Sequence, residues 1–434
     1  MTTEPNLILT DEFKDALALL ESRPAVTPLV FITGRAGTGK TTLLRYFAQH
    51  TGQRTVILAT TGLSAINVRG QTVHSFFRLT PYTVLNPRKH RALPREVIDN
   101  LDTIIIDEAS MLRADLLDAV DHILQKSTRT NEPFGGKKIV LFGDLFQLPP
   151  VEEKNESGLF SYFQSMYPSP YFFDAKVMKD VPLEVFELKR IFRQKEDRDF
   201  ARLLNLIREG HITQPELDSL LNKQLASSVP ENMENGIILS PTNQNAAWKN
   251  RQYLTRLPGE EFIYRAELDE TFTKNPPTEP ELHLKKGAKI MMLTNTDNWV
   301  NGDLGTVYDL GPDFIHVQIH NEVYEVTPHV WEDVSYAFDP NTQKLQTEVK
   351  GVFRQYPLKL AWAVTIHKSQ GLTFDNIYLD IGRGAFAPGQ TYVALSRCRT
   401  LKGVHLKQKI TTRDILCDPR VTRFFNYVRG NTPS

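Results

Sequence analysis

The stretch FITGRAGTGKTTLLRYF, residues 31–47, decides the fold of this chain. Residues 29–33 (LVFIT) are short, apolar and partly β-branched, which predicts a buried strand. The loop GRAGTGKT (34–41) fits the spacing GxxxxGK[ST], and the residues from Thr41 onward predict a helix. A strand, a glycine-rich loop and a helix in this order predict a phosphate-binding loop; the alternative is a plain glycine-rich turn.

Each residue type in this loop suits a nucleotide. Glycines let backbone N–H groups close around phosphate oxygens, and the N-terminus of the helix adds partial positive charge. The lysine can reach the β- and γ-phosphates, and the hydroxyl of the threonine after it can bind Mg²⁺. The predicted nucleotide-binding residues are Gly34, Gly37, Thr38, Gly39, Lys40, Thr41 and Thr42.

A second strand supplies the carboxylates that such a loop requires. TIIIDEAS (103–110) begins as a continuous apolar run and then presents Asp107 and Glu108. Asp107 suits the Mg²⁺ site together with Thr41, and Glu108 suits a base that polarises the attacking water. A kinase or a simple switch GTPase has no need of Glu108 at this place, so the pair favours hydrolysis. The alternative is an apolar strand that merely ends in acidic residues.

A third strand, KKIVLFGD (137–144), runs into LFQLPPV and places Gln147 where a γ-phosphate is expected. The side-chain amide of a glutamine at such a place can sense the terminal phosphate through a hydrogen bond. The alternative for Gln147 is a position in a turn before Pro149 and Pro150.

After Pro182 a second α/β pattern begins, without a phosphate-binding loop of its own. Its predicted strands are GIILS (236–240), NIYLDI (376–381) and GVHLK (403–407), and its predicted helices are DFARLLNLIREG (199–210) and QTYVALSRCR (390–399). We therefore expect the two α/β units to hold one nucleotide between them. Arg193 and Arg397 are the candidates to complete the γ-phosphate site as arginine fingers. The alternative is that each arginine forms a surface ion pair.

Two segments depart from the α/β pattern. Residues 284–328 have short alternating strands and Gly, Asn and Asp turns, which predicts a small β-barrel inserted into the second unit. We favour a role in gripping nucleic acid for this barrel; a plain structural insertion is the alternative. Residues 74–97 are rich in proline and aromatic residues and include the basic run RKHR (88–91), which predicts a second, irregular insertion.

The composition is that of an ordinary globular protein, with 41% hydrophobic and 24% charged residues among 434, a length that predicts roughly two to four domains. No apolar run reaches the ~18 residues that span a bilayer, and no signal peptide is recognised. Cys398 and Cys417 lack CxxC spacing, which argues against disulfides and a zinc site and favours a cytosolic setting. Basic and acidic residues balance at 51 each, so a nucleic-acid site has to be a local basic groove.

In this order, the motifs resemble superfamily 1 DNA helicases of the Pif-type (petite integration frequency) branch. TVHSFF, PFGGKKIVLFGDLFQLPPV and TIHKSQGLT are highly specific to that branch, and residues 116–138 resemble its signature stretch. The other matching stretches are GRAGTGKTTLL, ATTGLSAINVRGQTVHSFF (59–77), IIIDEASML, FELKRIFRQ, AWAVTIHKSQGLTFDNIYLDI (361–381) and TYVALSRCR. The matches span residues 31–399.

The resemblance implies an ATPase motor that moves 5′→3′ on single-stranded DNA, unwinds forked duplexes, and resolves G-quadruplexes and RNA–DNA hybrids in DNA repair, recombination and telomere maintenance. It implies an α/β fold of two RecA-like parallel-sheet lobes, with ATP and Mg²⁺ as cofactors. The expected domains are lobe 1 at 1–186 with a wedge at 74–97, lobe 2 at 187–283 and 351–410, an SH3-like β-barrel at 284–350, and a C-terminal helical segment at 411–434. We expect a cytoplasmic, nucleoid-associated bacterial or phage-like protein without a membrane partner, monomeric but able to dimerise on DNA.

The resemblance also implies roles for single residues. By matching of motifs, Lys40, Glu108, Gln147, Arg193 and Arg397 are catalytic, and Gly371 of HKSQG lies beside the nucleotide. The predicted DNA-contacting residues are Thr61, His74, Ser75 and Phe76 in the first lobe and His367, Lys368 and Ser369 in the second. Phe76, Phe77 and Trp299 are candidates to stack on bases or to wedge a junction, and the alternative for each is a place in the hydrophobic core.

One segment departs from the family pattern, and two other functions remain open. Family members usually carry an early glutamine that reads adenine, whereas LTDEFKDALALL (9–20) offers Asp11, Glu12 and Phe13, so we expect weaker selectivity for ATP over other nucleoside triphosphates. The alternative functions are a RecD-type helicase subunit of a larger complex and an ATP-switched clamp on single strands that does not unwind.

Overall fold

The computed structural model describes residues 10–22, 28–79, 84–151, 159–194, 196–225, 236–269, 272, 276–339 and 344–431. The chain forms two compact units. The N-terminal unit comprises the described parts of Glu4–Phe192, Val334–Val349 and Asp418–Ser434, and the C-terminal unit comprises those of Arg193–Asp333 and Lys350–Cys417. No helix within these ranges is both long and apolar enough to span a bilayer.

A six-stranded parallel sheet forms the centre of the N-terminal unit, in the order β3-β2-β4-β5-β1-β6. Its strands are β1 (Leu29–Gly34), β2 (Thr55–Ala59), β3 (Gln71–Thr72), β4 (Thr103–Asp107), β5 (Lys138–Phe142) and β6 (Leu183–Leu188). Parallel strands are buried on both faces, which explains why β1, β4 and β5 are buried along their whole length. Their carboxyl ends meet at one edge of the sheet.

Helices cover both faces of this sheet. Within the described residues before β6 they are α1 (Asp11–Glu21), α2 (Lys40–His50), α3 (Gly62–Asn67), α4 (Val73–Phe76), α5 (Arg95–Asp99), α6 (Ala114–Thr128) and α7 (Leu159–Met166). Successive residues of a strand point to opposite faces. Leu29 and Phe31 accordingly lie in a hydrophobic cluster with α6, whereas Val30 and Ile32 lie in a second cluster with α1 and α2.

Part of the predicted wedge segment packs on α6. The backbone N–H of Leu93 donates to Oγ of Ser127 at 2.8 Å, and Nζ of Lys126 donates to the carbonyl of His90 at 2.7 Å. Nδ1 of His90 lies 3.0 Å from Nδ1 of His122. These contacts hold residues 90–93 on the helix, and the assignment of residues 74–97 as a wedge remains a prediction.

The C-terminal unit combines a parallel sheet with antiparallel strands. Its strands are β7 (Gly236–Ser240), β8 (Phe262–Arg265), β9 (Glu267–Leu268), β10 (Glu281–Leu284), β11 (Lys289–Met292), β12 (Leu304–Leu310), β13 (Ile315–Ile319), β14 (Glu322–Val326), β15 (His329–Asp339), β16 (Lys344–Gln355), β17 (Leu358–Leu360), β18 (Ala363–Thr365), β19 (Asn376–Leu379) and β20 (Val404–Leu406). Of β15 and β16, the residues 334–339 and 344–349 count with the N-terminal unit. The parallel sheet has the order β18-β7-β19-β20. Its helices are α8 (Arg198–Glu209), α9 (Gln214–Glu216), α10 (Asn243–Arg256) and α11 (Gln390–Leu395).

A five-stranded antiparallel sheet, in the order β14-β13-β12-β11-β17, occupies the region predicted as a β-barrel. Its inward residues share a core with Trp299 and Trp362. In the two shorter sheets, β10-β8 and β15-β16-β9, strands β8 and β9 precede residue 284, and β17 of the five-stranded sheet follows residue 350. The antiparallel strands therefore extend beyond the predicted range of 284–350 on both sides. The predicted alternating strands are therefore present, and the SH3-like class of this region remains a prediction.

Two predicted domain boundaries differ from the observed units. The boundary at 186/187 falls inside β6, which pairs with β1 in the first sheet, and the N-terminal unit continues to Phe192. The last helix, α12 (Pro419–Asn431), belongs to the N-terminal unit, where the ring of Phe424 stacks on Phe173 with centroids 4.5 Å apart. Both differences arise from long-range packing, since neither strand order nor helix docking is visible in local sequence.

Candidate nucleotide and nucleic-acid sites

The phosphate-binding loop lies at the carboxyl edge of the first sheet, between β1 and α2. Gly39 has φ 85° and ψ 19° and leads directly into the first turn of α2. Oγ1 of Thr38 donates to the carbonyl of Arg35 at 2.9 Å, and the carbonyl of Gly37 accepts from the backbone N–H of Phe192 at 2.8 Å. The loop is therefore held from within and from the end of the N-terminal unit, at the N-terminus of α2, where a phosphate is favoured.

Two glycines of the loop have no room for a side chain. At Gly34, with φ 150°, a Cβ atom would lie 2.6 Å from the carbonyl of Leu188 and 2.9 Å from Oγ1 of Thr38. At Gly39 it would lie 3.0 Å from the ring of Phe13. A methyl group at Gly34 or Gly39 would therefore fill the cradle that the loop forms. This lack of room explains the glycine spacing better than a plain turn does.

Lys40 lies over this cradle. Its Nζ donates to the carbonyls of Gly34 and Arg35 at 2.8 and 3.0 Å. Both acceptors are neutral carbonyls, and a phosphate oxygen is a stronger acceptor for the ammonium than either of them.

Asp107 is the last residue of β4, the second neighbour of β1 in the sheet, and Glu108 follows it. Asp107 is 7% exposed, and its Oδ1 accepts from the backbone N–H of Glu108 at 2.9 Å. Burial, followed by the charge of Glu108, raises the pKa of Asp107 to about 7, against a smaller opposite effect of Lys40. A buried carboxylate beside a second carboxylate is stabilised by a bound cation, so this pair fits Mg²⁺ and its preference for oxygen ligands.

The backbone redirects Glu108 away from the strand. Its φ of 54° and ψ of 46° lie in the left-handed region, which costs a residue with a Cβ about 1–2 kcal/mol. Oγ1 of Thr60 donates to the carbonyl of Glu108 at 3.0 Å and helps hold this conformation. Strained backbone of this kind is common at functional sites, which supports a role for the Glu108 carboxylate.

Gln147 lies beyond the end of β5, which separates β1 from β4. Its backbone N–H donates to the carbonyl of Asp144 at 2.9 Å, and Oδ1 of Asp144 accepts from the backbone N–H of Phe146 at 3.3 Å. Asp144 is fully buried, and Gln147 is 7% exposed. Gln147 therefore lies at the same sheet edge as the phosphate-binding loop. It occupies a turn, and this position is compatible with a role in sensing the phosphate.

The segment that departs from the family pattern packs against the phosphate loop. Glu12 accepts from the backbone N–H of Lys189 at 2.6 Å and of Arg190 at 3.3 Å. The rings of Phe13 and Phe192 meet edge to face, 6.2 Å apart, with both rings near Gly39. Sequence reasoning missed Phe192, although its place in FELKRIFRQ, directly before Arg193, was a usable signal. Weak selectivity for adenine remains a prediction.

Arg193 and Arg397 come together in the C-terminal unit. Nη1 of Arg193 donates to the carbonyl of Ser396 at 3.0 Å, and Nη2 of Arg397 donates to Oγ of the same serine at 2.8 Å. Burial, followed by the charge of Arg397, lowers the pKa of Arg193 to about 9. Two neighbouring guanidinium groups favour an anion between or beside them.

The two arginines differ in burial. Arg193 is half-buried, whereas Arg397 is 2% exposed and donates to the carbonyls of Val393, Ser369 and Leu372 at 2.9, 3.4 and 3.4 Å. Arg397 therefore also holds the loop that follows β18, while Arg193 keeps accessible surface. The surface ion-pair alternative does not fit Arg397, because it is buried among backbone carbonyls.

Gly371 lies in this loop with its carbonyl accepting from Nη2 of Arg193 at 3.4 Å. It is exposed and has φ 79°, and a Cβ atom there would contact nothing within 4 Å. Glycine is favoured here by the positive φ of the backbone, since no protein atom crowds a side chain at this position. The open space fits the prediction that a nucleotide approaches its backbone.

Five of the seven predicted DNA contacts keep accessible surface, three in the N-terminal unit and two in the C-terminal unit, and two do not. Thr61 caps α3 by accepting from the backbone N–H of Ser64 at 3.2 Å, and Ser75 is exposed. His74 is half-buried, and burial lowers its pKa. In the C-terminal unit, His367 and Lys368 are exposed in a short 3₁₀ turn after β18.

Burial of Phe76 and Ser369 contradicts their prediction as DNA contacts. Phe76 is 7% exposed within the main core of the N-terminal unit, so its ring offers no free face to a base. Ser369 is fully buried, and its Oγ donates to the carbonyl of Ile366 at 2.7 Å, so the side chain shapes the turn. Phe77 and Trp299, 1% and 8% exposed, likewise lie in cores. The core alternative holds for all three aromatic residues.

Phe76→Ala is expected to destabilise the folded protein by about 3–5 kcal/mol, because it leaves a cavity in a packed core. Phe76→Leu keeps most of the volume and is expected to restore most of the free energy of unfolding, measured with urea. Single-stranded DNA affinity of the folded fraction is expected to be unchanged in both. A fully stable Phe76→Leu variant with strongly weakened DNA binding would return Phe76 to the DNA site.

A parallel-sheet unit with a phosphate cradle and an acidic pair at the same edge defines a P-loop nucleotide-binding protein. A family model described as PIF1-like helicase matches residues 9–218. The ATP-dependent DNA helicase Pif1 of Bdellovibrio bacteriovorus is 30% identical over 97% of this chain and 92% of its own length. The human ATP-dependent DNA helicase PIF1 is 31% identical over 92% of this chain, which spans only 61% of that relative.

Solved structures agree with these matches. The crystal structure of Bacteroides sp Pif1 in complex with ADP-AlF4 is 36% identical, covers 98% of both chains and has a TM-score of 0.86. A structure of Pif1 helicase from Bacteroides with ADP-AlF3 and ssDNA is 35% identical over the same share, with a TM-score of 0.71. The chain therefore belongs to the PIF1-like helicase family, and the predicted α/β class with a parallel-sheet core is confirmed.

Proposed function

We propose that this protein is an ATP-dependent DNA helicase that moves 5′→3′ on single-stranded DNA and separates duplex DNA. The observation that carries the proposal is the phosphate cradle at Gly34–Lys40 with buried Asp107 and half-buried Glu108 at the same sheet edge, in a chain of this family. The curated vertebrate relatives are longer than the matched region, and the activity is therefore argued from the residues of this chain.

At the nucleotide, each residue has a separate task. Backbone N–H groups of the loop and Nζ of Lys40 bind phosphate oxygens and orient the γ-phosphate. Thr41 and Asp107 would hold Mg²⁺, which neutralises phosphate charge when bound. Glu108 accepts the proton of the attacking water. The side-chain amide of Gln147 senses the terminal phosphate through a hydrogen bond.

We assign Arg193 as the residue that completes the γ-phosphate site, with Arg397 as its neighbour. The paired guanidinium groups around Ser396 support this role, because their mutual repulsion is relieved by an anion. An arginine that reaches the phosphate only in one state of the protein converts the presence of the nucleotide into movement.

The strand-contacting residues grip the backbone of DNA and leave its sequence unread. Thr61, His74, Ser75, His367 and Lys368 are polar or basic side chains suited to phosphate and sugar oxygens. Such binding is independent of base sequence and weakens with salt. The alternating grip of two units, timed by ATP, is the proposed source of translocation.

We also propose particular nucleic-acid substrates for this protein. A structure described as DNA unwinding at forked dsDNA by two coordinating Pif1 helicases is 35% identical to this chain with a TM-score of 0.70. We propose forked duplex as a substrate, with two copies acting on one fork, and G-quadruplexes and RNA–DNA hybrids as further substrates. We also propose a nucleoid-associated role in DNA repair and recombination.

ATP turnover with and without single-stranded DNA tests the proposal. A motor is expected to hydrolyse ATP much faster with the strand, and to release a labelled strand from a forked duplex. Stimulated turnover without strand release would indicate the ATP-switched clamp. Unwinding that requires a larger assembly would indicate a RecD-type subunit, and turnover indifferent to DNA would overturn the proposal.

Glu108→Gln is expected to bind ATP with unchanged affinity and to hydrolyse it about 10²- to 10⁴-fold more slowly, the range for loss of a general base. Glutamine keeps the shape of the side chain but cannot accept the proton. Fluorescent nucleotide binding and single-turnover hydrolysis separate the two effects. Exposed Glu96, in the same unit, provides the control as Glu96→Gln, for which normal turnover is expected. Normal turnover in Glu108→Gln would remove Glu108 from the base role.

A further inference from the structure

We propose that Lys359, in the last strand of the antiparallel sheet, binds a phosphate of the single strand together with Lys368. This inference rests on the proposed helicase function. It adds a DNA contact from the antiparallel sheet to the contacts predicted in the α/β parts of the chain. It assigns the antiparallel region a direct part in gripping DNA.

The strand register sets the direction of the Lys359 side chain. In β17, Leu358 is fully buried in the core of the antiparallel region, and Lys359 pairs with Met291 of β11. Because neighbouring residues of a strand point to opposite faces, Lys359 points away from that core. Lys359 is half-buried, so part of its side chain can be reached from outside.

The chain and the packing bring this strand to the predicted DNA contacts. β17 is followed by β18 and then by the turn His367–Ser369. At Gly302, which precedes β12 of the antiparallel sheet, a Cβ atom would lie 3.1 Å from Cδ2 of Leu372. The antiparallel region therefore contacts the loop directly after His367 and Lys368.

Lys359 lies within reach of the charge of Lys368. Burial, followed by the charge of Lys368, lowers the pKa of Lys359 to about 8, with Glu279 acting weakly in the other direction. Partial desolvation and again the charge of Lys368 lower the pKa of His367. The charge of Lys368 thus lowers the pKa of both Lys359 and His367.

No carboxylate within the described ranges forms an ion pair with Lys359 or Lys368. By contrast, Lys249 and Lys407 of the same unit both pair with Asp380, at 2.6 and 3.0 Å. A desolvated lysine beside a second lysine costs stability unless an anion compensates both. A phosphate of the DNA backbone is such an anion, and its negative charge favours the protonated form of Lys359.

The salt dependence of DNA binding tests this contact. The probe is a fluorescein-labelled oligo-dT, titrated with Lys359→Met protein at several salt concentrations. Loss of one phosphate contact is expected to reduce the slope of log K against log salt by about 0.7 and to weaken binding about tenfold at low salt. Lys286→Met is the matched control, because Lys286 is exposed and pairs with Asp309 at 3.4 Å. Its slope is expected to equal that of the unmodified protein.

Proton uptake provides the second readout. Phosphate raises the pKa of Lys359, so the unmodified protein is expected to take up protons on binding oligo-dT near pH 8. Calorimetry in two buffers of different ionisation enthalpy measures this uptake. Lys359→Met is expected to lose it, and Lys359→Arg to lose it while keeping the salt slope, since arginine stays charged.

The outcomes separate this inference from the proposed function. If the unmodified protein fails to bind oligo-dT, the helicase proposal itself fails. If it binds, while folded Lys359→Met shows an unchanged slope and unchanged proton uptake, the Lys359 contact is overturned and the helicase proposal stands. Melting temperatures verify folding, and methionine at this desolvated position is expected to preserve or raise them.

Discussion

Lys40→Ala is expected to reduce ATP hydrolysis about 100- to 1000-fold, the cost of removing one preorganised donor from a developing charge. The ammonium lies over the phosphate cradle, where it donates to the carbonyls of Gly34 and Arg35. Its loss removes the positive charge that stabilises the β- and γ-phosphates as the bond to the leaving group breaks. Turnover at saturating ATP and single-stranded DNA measures the effect.

The same variant is expected to fold and to bind single-stranded DNA measurably. Its two carbonyl partners lie in a partly exposed loop, where water can replace the ammonium. Lys14→Ala is the control, because Lys14 is exposed on α1 and pairs with Asp11 at 2.9 Å. Full ATPase activity in Lys40→Ala would refute the phosphate-cradle assignment.

Arg193→Ala is expected to lose about 10³-fold or more in kcat, the range of an arginine finger, with the melting temperature nearly unchanged. Arg193 is half-buried and makes two backbone contacts, to Ser396 and Gly371. Arg397→Ala is expected to lose hydrolysis as well, but with a clear loss of stability, on the order of 3 kcal/mol, because four acceptors lose a buried charged donor.

Exposed Arg202, on α8, provides the control for both variants. Arg202→Ala is expected to match the unmodified protein in turnover and in thermal stability. If Arg193→Ala hydrolyses ATP normally while staying folded, the arginine is structural and the γ-phosphate role passes to another residue. Arg193→Lys keeps the charge but loses the planar fork, and is expected to recover only part of the activity.

The local parts of the site were predictable from sequence. The phosphate loop with β1 and α2, and the acidic pair at the end of β4, depend on short-range pattern: an apolar run, glycines and a fixed spacing. Strand ends in a parallel sheet meet at one edge, so the grouping of Lys40, Asp107 and Gln147 followed without knowledge of the contacts.

The remaining parts depend on contacts between distant residues. The sequence offers Phe76 and Phe77 equally as base contacts or as core, and only the observed packing decides for the core. Ser369 lies between exposed Lys368 and half-buried Gln370, yet it is fully buried by the turn that it forms. The motif around Phe192 marks that residue, but no local pattern indicates its edge-to-face contact with Phe13, which is far away in sequence.

Lys359 illustrates the same limit. Within LKLAW it is one of many lysines, and nothing in its immediate sequence separates it from a solvated surface residue. Its significance arises from strand register, from the contact of Gly302 with Leu372, and from the charge of Lys368. Each of these is a long-range property of the fold.

The unwinding of forked substrates with a single tail tests the central claim most directly. With ATP and Mg²⁺ present, this protein is expected to release the labelled strand from a duplex that carries only a 5′ single-stranded tail, and to leave a duplex with only a 3′ tail intact. Lys40→Ala protein is expected to release neither. Strand release from the 3′ tail, or none from the 5′ tail while DNA-stimulated ATP hydrolysis proceeds, would contradict the account of a 5′→3′ helicase.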